Sequence, residues 1–186
     1  GIYMDQICLN RRCYDPTHGH SIGGGNYWMT HVAEKDRLIR SKFPADRSPA
    51  LAGEGVGENW LPHLDVFLAL QVSKERYAGV HDWQTIPLFQ SVYHAYGITF
   101  GNYSSLLTPP YDEMWPQEQA PDDTETPLDA EFNTQFLMEQ ARSFVWGMQP
   151  MIANYQPFLD TIRQEEIDFI ERLADVRQAG LDYFVF

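Results

Sequence analysis

The chain has 186 residues, with 13 lysines and arginines against 26 aspartates and glutamates, a formal charge of −13. At 44% hydrophobic and 14% aromatic it can bury the core of one ordinary domain and lies far from disordered composition. A polyanion is a poor partner for nucleic acid or an anionic membrane, both of which call for basic patches, and no stretch approaches the roughly 20 apolar residues that span a bilayer. The opening Gly1-Ile2-Tyr3-Met4-Asp5 has no initiator Met and no charged-then-apolar leader, so a fragment or processed product is expected and localisation is not legible.

Residues 1–9 are apolar and β-prone, as a strand buried on both faces would be. A polar, Gly-rich loop follows over 10–25. Residues 27–43 have helical periodicity (Trp28, Val32, Leu38, Ile39), stopped by Pro44, whose ring cannot continue the hydrogen-bond ladder. A second strand is predicted over 48–53, a glycine loop over 53–57, a helical turn over 59–63 and a third strand over 65–72. A loop with His81, Asp82 and Trp83 leads to strand-like stretches at 86–93 and 95–100. The Pro-rich, acidic stretch 108–127 reads as a surface loop, and from Tyr77 to Ala141 there is no Lys or Arg. Residues 129–142 read as helix and 143–152 as strand. The clearest helix spans 158–179 on the stripe Leu159, Ile162, Ile167, Ile170, Leu173 and Val176, with Gly180 as its C-cap. Residues 181–186 read as the start of a further strand or domain.

Strands alternating with helices predict parallel β/α architecture. A complete (β/α)8 barrel needs about 250 residues. About five predicted strands therefore point to the C-terminal portion of such a barrel over residues 1–180, with an unsatisfied sheet edge where the N-terminal half belongs.

Several motifs carry possible chemistry. Gly19-His20-Ser21-Ile22-Gly23 matches the nucleophile elbow of serine hydrolases, which would make Ser21 an esterase nucleophile. That elbow needs a buried strand feeding the turn, whereas Cys13-Tyr14-Asp15-Pro16-Thr17-His18 is polar and broken by proline. Gly53, Gly55 and Gly57 fall short of a dinucleotide loop, since Glu58 stands where the third glycine belongs and would repel pyrophosphate. Cys8 and Cys13 are the only cysteines. As a zinc half-site their spacing is loose, leaving two loop or core thiols or a disulfide. His18 and His20 beside Asp15 form an H-x-H pair, either a metal half-site or loop histidines bonding a polar ligand. The second reading is preferred, so no metal and no cofactor are expected. The acidic run 112–131 lacks the spacing of an EF-hand.

Two carboxylates form the strongest constellation. A lone Asp5 in an apolar strand costs several kcal/mol unless paired or facing a wet site. Glu54 stands at the end of the next strand, among glycines that leave room for a ligand. Consecutive parallel strands end side by side, and a carboxyl separation of about 5–5.5 Å suits a retaining glycosidase. Glu58 is an alternative acid/base, and backbone or arginine partners would make both acids structural. Trp28, Trp60, Trp83, Trp115 and Tyr103, in or beside strand-end loops, could stack on the apolar face of a sugar, although core packing is the commoner use of any one Trp.

The runs Gly1-Ile2-Tyr3-Met4-Asp5-Gln6-Ile7, Cys13 to His20, Gly23-Gly24-Gly25-Asn26-Tyr27-Trp28, Ile86 to His94 and Ala174 to Phe186 resemble a bacterial, largely uncharacterised glycoside-hydrolase-like (β/α)8 barrel family. More distantly, Asp5 followed by Glu54 resembles the layout of endo-α-N-acetylgalactosaminidases and α-amylase-type barrels. The resemblance implies a carbohydrate substrate, Asp5 as nucleophile and Glu54 as acid/base. Asp15, His18, His20 and His94 would contact substrate, and Tyr93 beside His94 joins that set. It also implies that site residues on the absent N-terminal strands are missing, leaving either a glycoside hydrolase fragment, possibly inactive alone, or a carbohydrate-binding module that has lost the chemistry.

Overall fold

A computed structural model of the protein describes residues 1–9, 11–69, 86–101, 106, 118, 130–152, 156–159 and 161–184. Four short strands make one parallel sheet: β1 (Ile2–Met4), β2 (Leu51–Glu54), β3 (Val66–Leu68) and β4 (Ile98–Phe100). They are neighbours in chain order. A parallel bridge joins Phe100 to Gln149, and the Gln149 N–H donates to the Thr99 carbonyl at 2.7 Å. The chain therefore returns beside β4 once more, and among the described residues the strand order does not reverse. The expected α/β class holds; each strand is shorter than the apolar run that signalled it.

Helix α1 (Tyr27–Arg40) ends before Pro44 as predicted. Its Val32, with Trp28, Met29 and Ile39, packs on Met4, Ile7, Leu51, Trp60, Leu64 and Phe67. Leu51 and Phe67 are wholly buried, each contributing roughly 1.5–3 kcal/mol. Arg40, at the end of α1, fastens the helix to the lower ends of β2 and β3. It donates to Asp65 Oδ2 at 2.7 Å, to the His63 carbonyl at 3.2 Å and to the Pro49 carbonyl at 3.3 Å. The same Asp65 oxygen accepts the Leu51 N–H at 2.8 Å.

The other sheet face is differently placed. Alternation directs Tyr3, Ala52, Val66, Leu68, Ile98 and Phe100 away from α1, and they line a cavity of about 640 Å³ with Gln149, Pro150 and Met151. Tyr3 and Ile98 remain 47% and 38% exposed.

Three predicted strands are corrected. Residues 86–93 contain helix α2 (Leu88–Tyr93): Leu88, Phe89, Val92 and Tyr93 repeat at helical spacing, and Pro87 suits a helix start. Ser143 and Val145 belong to helix α3 (Ala130–Val145). Gly147 (φ +70°) then turns the chain, and within 143–152 only Gln149 bridges the sheet. Leu181–Phe184 form the single-turn helix α5 rather than a strand. The long predicted helix resolves into two 3-10 turns (Gln156–Leu159, Thr161–Arg163) and α4 (Gln164–Ala179). Leu159, Ile162 and Val176 of its stripe are exposed. Trp83, Tyr103, Trp115, His81 and almost all of 108–129 lie outside the described residues. Among the described residues no helix is long and apolar enough to cross a membrane.

Candidate functional site

The parallel register pairs Met4 with Gly53; Asp5 follows in the turn just past β1, and Glu54 is the last residue of the adjacent β2. Strands in a sheet lie about 4.8 Å apart. Asp5 is exposed and Glu54 half-buried, and neither is bonded to an arginine among the described residues. Tyr3, two residues before Asp5, donates its O–H to Asp5 Oδ1 at 3.3 Å. Burial, then the charges of Glu54 and Asp5, push the Tyr3 phenol up to about 12. It stays a hydrogen-bond donor at any ordinary pH.

Glu54 has a second attachment. Its Oε2 accepts the backbone N–H of Gln6 at 2.9 Å. Gln6 is the one non-glycine residue with positive φ (53°) among the described residues, a left-handed turn of modest cost held partly by that bond. The turn follows β1, which ends at Met4, and sends Ile7 back into the core. Gly53 makes the close packing possible: a Cβ there would lie 2.6 Å from both Ile7 Cγ2 and Leu64 Cδ1. Cys8 follows, its thiol pushed up to about 12 by burial and then by the Asp36 and Glu54 charges. Both cysteines are free.

The remaining predicted residues fall into three groups. Glu58 and Tyr93 meet, the Tyr93 O–H donating to Glu58 Oε2 at 2.7 Å, which raises the phenol. They line a surface cavity of about 700 Å³ with Leu61, Pro62, Val92 and Tyr96, and exposed His94 follows at the end of α2. Trp28 and Trp60 serve the core. Trp60 is 4% exposed, and the partly buried Trp28 donates its ring N–H to the Ile7 carbonyl at 2.9 Å. Asp15, His18 and His20 gather around Cys13 in the loop between β1 and α1. Thr17, by its hydroxyl and then its N–H, holds the Asp15 carboxyl below its usual range. Ser21 is exposed in the same loop. No strand feeds it, because β1 ended at Met4, so the elbow geometry is lacking.

Sequence reasoning missed Tyr3 and the part of Cys13. Tyr3 was findable, since residues i and i+2 of a strand share a face. Cys13 lies with His18 and His20, one donor atom of each within 4.8 Å of the other two, a grouping that the H-x-H spacing alone does not reveal.

Residues 1–104 match the family model described as Domain of unknown function (DUF6259), and the chain belongs to that family. It is similar to a Monosiga brevicollis protein named "Putative glycoside hydrolase 22789", with 27% identity over 104 residues, 55% of this chain and 8% of that protein. It is also similar to a Bacteroides thetaiotaomicron protein named "Putative glycoside hydrolase", with 25% identity over 187 residues, 100% of this chain and 24% of that protein. The chain thus spans about a quarter or less of the length of these relatives. No solved structure matches it.

Proposed function

We propose that the chain carries the carboxylate pair of a glycoside hydrolase, at the strand carboxyl ends of a portion of a (β/α)8 barrel. The observation that carries the reading is Asp5 just past the end of β1 and Glu54 at the end of the adjacent parallel β2, with the Tyr3 hydroxyl on Asp5. Strand order without reversal supports a barrel over a doubly wound sheet, whose order reverses at its ligand crevice. The uncovered apolar face suits a barrel interior, closed by strands from the rest of a longer protein. The relatives' names support the reaction class.

In this mechanism Asp5 attacks the anomeric carbon while Glu54 gives a proton to the departing glycosidic oxygen. Water then cleaves the glycosyl ester, with Glu54 accepting its proton. A spacing of adjacent strands supports a retaining outcome, for which the carboxyl groups sit about 5–5.5 Å apart. Tyr3 acts as a positioning residue, orienting the Asp5 carboxylate through its hydrogen bond. Asp5→Asn in the longer protein should abolish turnover of aryl glycosides, and Glu54→Gln should lower it about 10²–10⁴-fold. Full activity in Asp5→Asn refutes the assignment.

The bond from Gln6 to Glu54 favours a second reading, a carbohydrate-binding barrel in which Glu54 only shapes the turn. Glycan binding without turnover by the longer protein on any glycoside class would select it.

A further inference from the structure

We infer that the loop between β1 and α1 is a binding site for a zinc-class divalent ion, held by Cys13, His18 and His20. The inference is independent of the carboxylate pair. One donor atom from each of the three side chains lies within 4.8 Å of the other two, and Cys13 Sγ is 3.1 Å from His18 Nδ1. A zinc ion sits about 2.3 Å from sulfur and 2.0–2.1 Å from imidazole nitrogen. A tetrahedral ion holds such donors roughly 3.3–3.7 Å apart, so the three can share one ion after side-chain adjustment of about an ångström.

Proximity alone would be weak, and the bonds of the opposite ring nitrogens make the case. A metal-binding histidine commonly donates its other N–H to a carboxylate or a backbone carbonyl, which fixes the tautomer and the ring direction. Both histidines have that partner. His18 directs Nδ1 at Cys13 and Nε2 at Asp15 Oδ2, 3.4 Å away. Asp15 is itself held by the Thr17 N–H at 2.8 Å and hydroxyl at 2.7 Å, both on Oδ1. His20 has Nδ1 at 2.8 Å from the Ser21 carbonyl, which leaves Nε2 with a free lone pair. Its ring stacks on Tyr27 at 3.9 Å with planes 7° apart, and Tyr27 is tied by its hydroxyl to the Arg11 carbonyl. The backbone closes the frame: Cys13 and Gly23 exchange N–H···O bonds at 3.1 and 2.6 Å.

The donor set also selects the ion. One thiolate and two imidazoles suit zinc and its soft neighbours and are wrong for calcium or magnesium, which take oxygen. Three protein ligands leave a fourth position for water or another ligand, and His18 lies open to solvent. On binding, the Cys13 thiol proton leaves to solvent as the metal–sulfur bond forms.

Cobalt(II) is the probe. The protein, stripped with chelator and titrated with Co²⁺, should develop a thiolate-to-cobalt charge-transfer band and tetrahedral visible bands at one ion per chain. Zn²⁺ should then displace the cobalt and quench both. Cys13→Ser should remove the charge-transfer band, and His18→Gln or His20→Gln should weaken zinc binding by more than tenfold. Asp15→Asn should weaken it about 10–100-fold, as loss of an outer partner does, with circular dichroism unchanged. Wild-type protein that develops no thiolate band, or a Cys13→Ser variant that keeps it, overturns the inference. Because the readout is spectroscopic, it survives failure of the hydrolase reading.

Discussion

Gly53→Ala tests whether the turn after β1 is packed as tightly as the coordinates say. The added methyl would lie 2.6 Å from Ile7 Cγ2, 2.6 Å from Leu64 Cδ1 and 3.1 Å from Cys8 Sγ, whereas carbon atoms rest about 3.5–4.0 Å apart. Ile7 and Leu64 must each retreat by about 1 Å inside a core where both are buried. Overpacking of this kind costs about 1–3 kcal/mol. Against it stand about 0.8 kcal/mol for one more buried carbon and about 0.4–1 kcal/mol from stiffening the unfolded chain. The net expectation is a loss of about 0.5 kcal/mol, or about 1–2 °C in Tm for a chain of this size. Urea unfolding should show a lower midpoint at constant slope. Leu64→Ala removes the obstructing Cδ1, so the double variant should be more stable than the sum of the single losses by about 0.5–3 kcal/mol. A Gly53→Ala protein as stable as wild type, with no coupling to Leu64, would refute the packing argument.

Two further outcomes follow from buried groups. Asp36 on α1 is 1% exposed, its carboxylate oxygens have no hydrogen-bond partner among the described residues, and burial raises its pKa against the pull of Lys35, His63 and Arg40. The folded state then holds a proton that the unfolded state releases, so its cost grows as pH rises above the ordinary carboxyl value. Asp36→Leu should gain about 1–3 kcal/mol at neutral pH and little below the ordinary value; a gain equally large at acidic pH would contradict this sign. Cys8, with its thiol near 12, should resist iodoacetamide at pH 8 in the folded protein and react once urea unfolds it, as peptide mass spectrometry would report; fast labelling in the fold would contradict its burial.

The parts legible in the sequence were those set by local chemistry. Pro44 marked the end of α1, the glycines around Glu54 marked a strand end, and the parallel class followed from alternation of elements. Residues 86–93 were misread because a short apolar run has no period long enough to separate strand from helix, and the helix was decided by Pro87 and the spacing of Leu88 and Val92. Residues 143–152 and 181–186 have strand-like composition, yet a strand exists only through its neighbour, and sequence does not reveal which edges are available. The place of Trp60 was hidden for a related reason. Trp60 looks the same in sequence whether its ring meets a sugar or Leu64, and only tertiary packing chose the second.

Asp5 and Glu54 were legible as residues, but their relation depended on register, which four strands of three or four residues do not encode locally. What fixes it is the contrast between the two faces of β2. Leu51 and Gly53 are buried toward α1, while Ala52 and Glu54 alternate to the other side. A slip by one residue would drive Glu54 into the core and bring Leu51 out, at a cost of several kcal/mol for the carboxylate alone. The apolar core therefore selects the register, and the register sets Glu54 at the end of β2 on the side of the apolar face. Tyr3 sits where the two regimes join, its ring lining that face and its hydroxyl on Asp5. Removing the hydroxyl while keeping the ring (Tyr3→Phe) thus separates the polar rim from the packing beneath it.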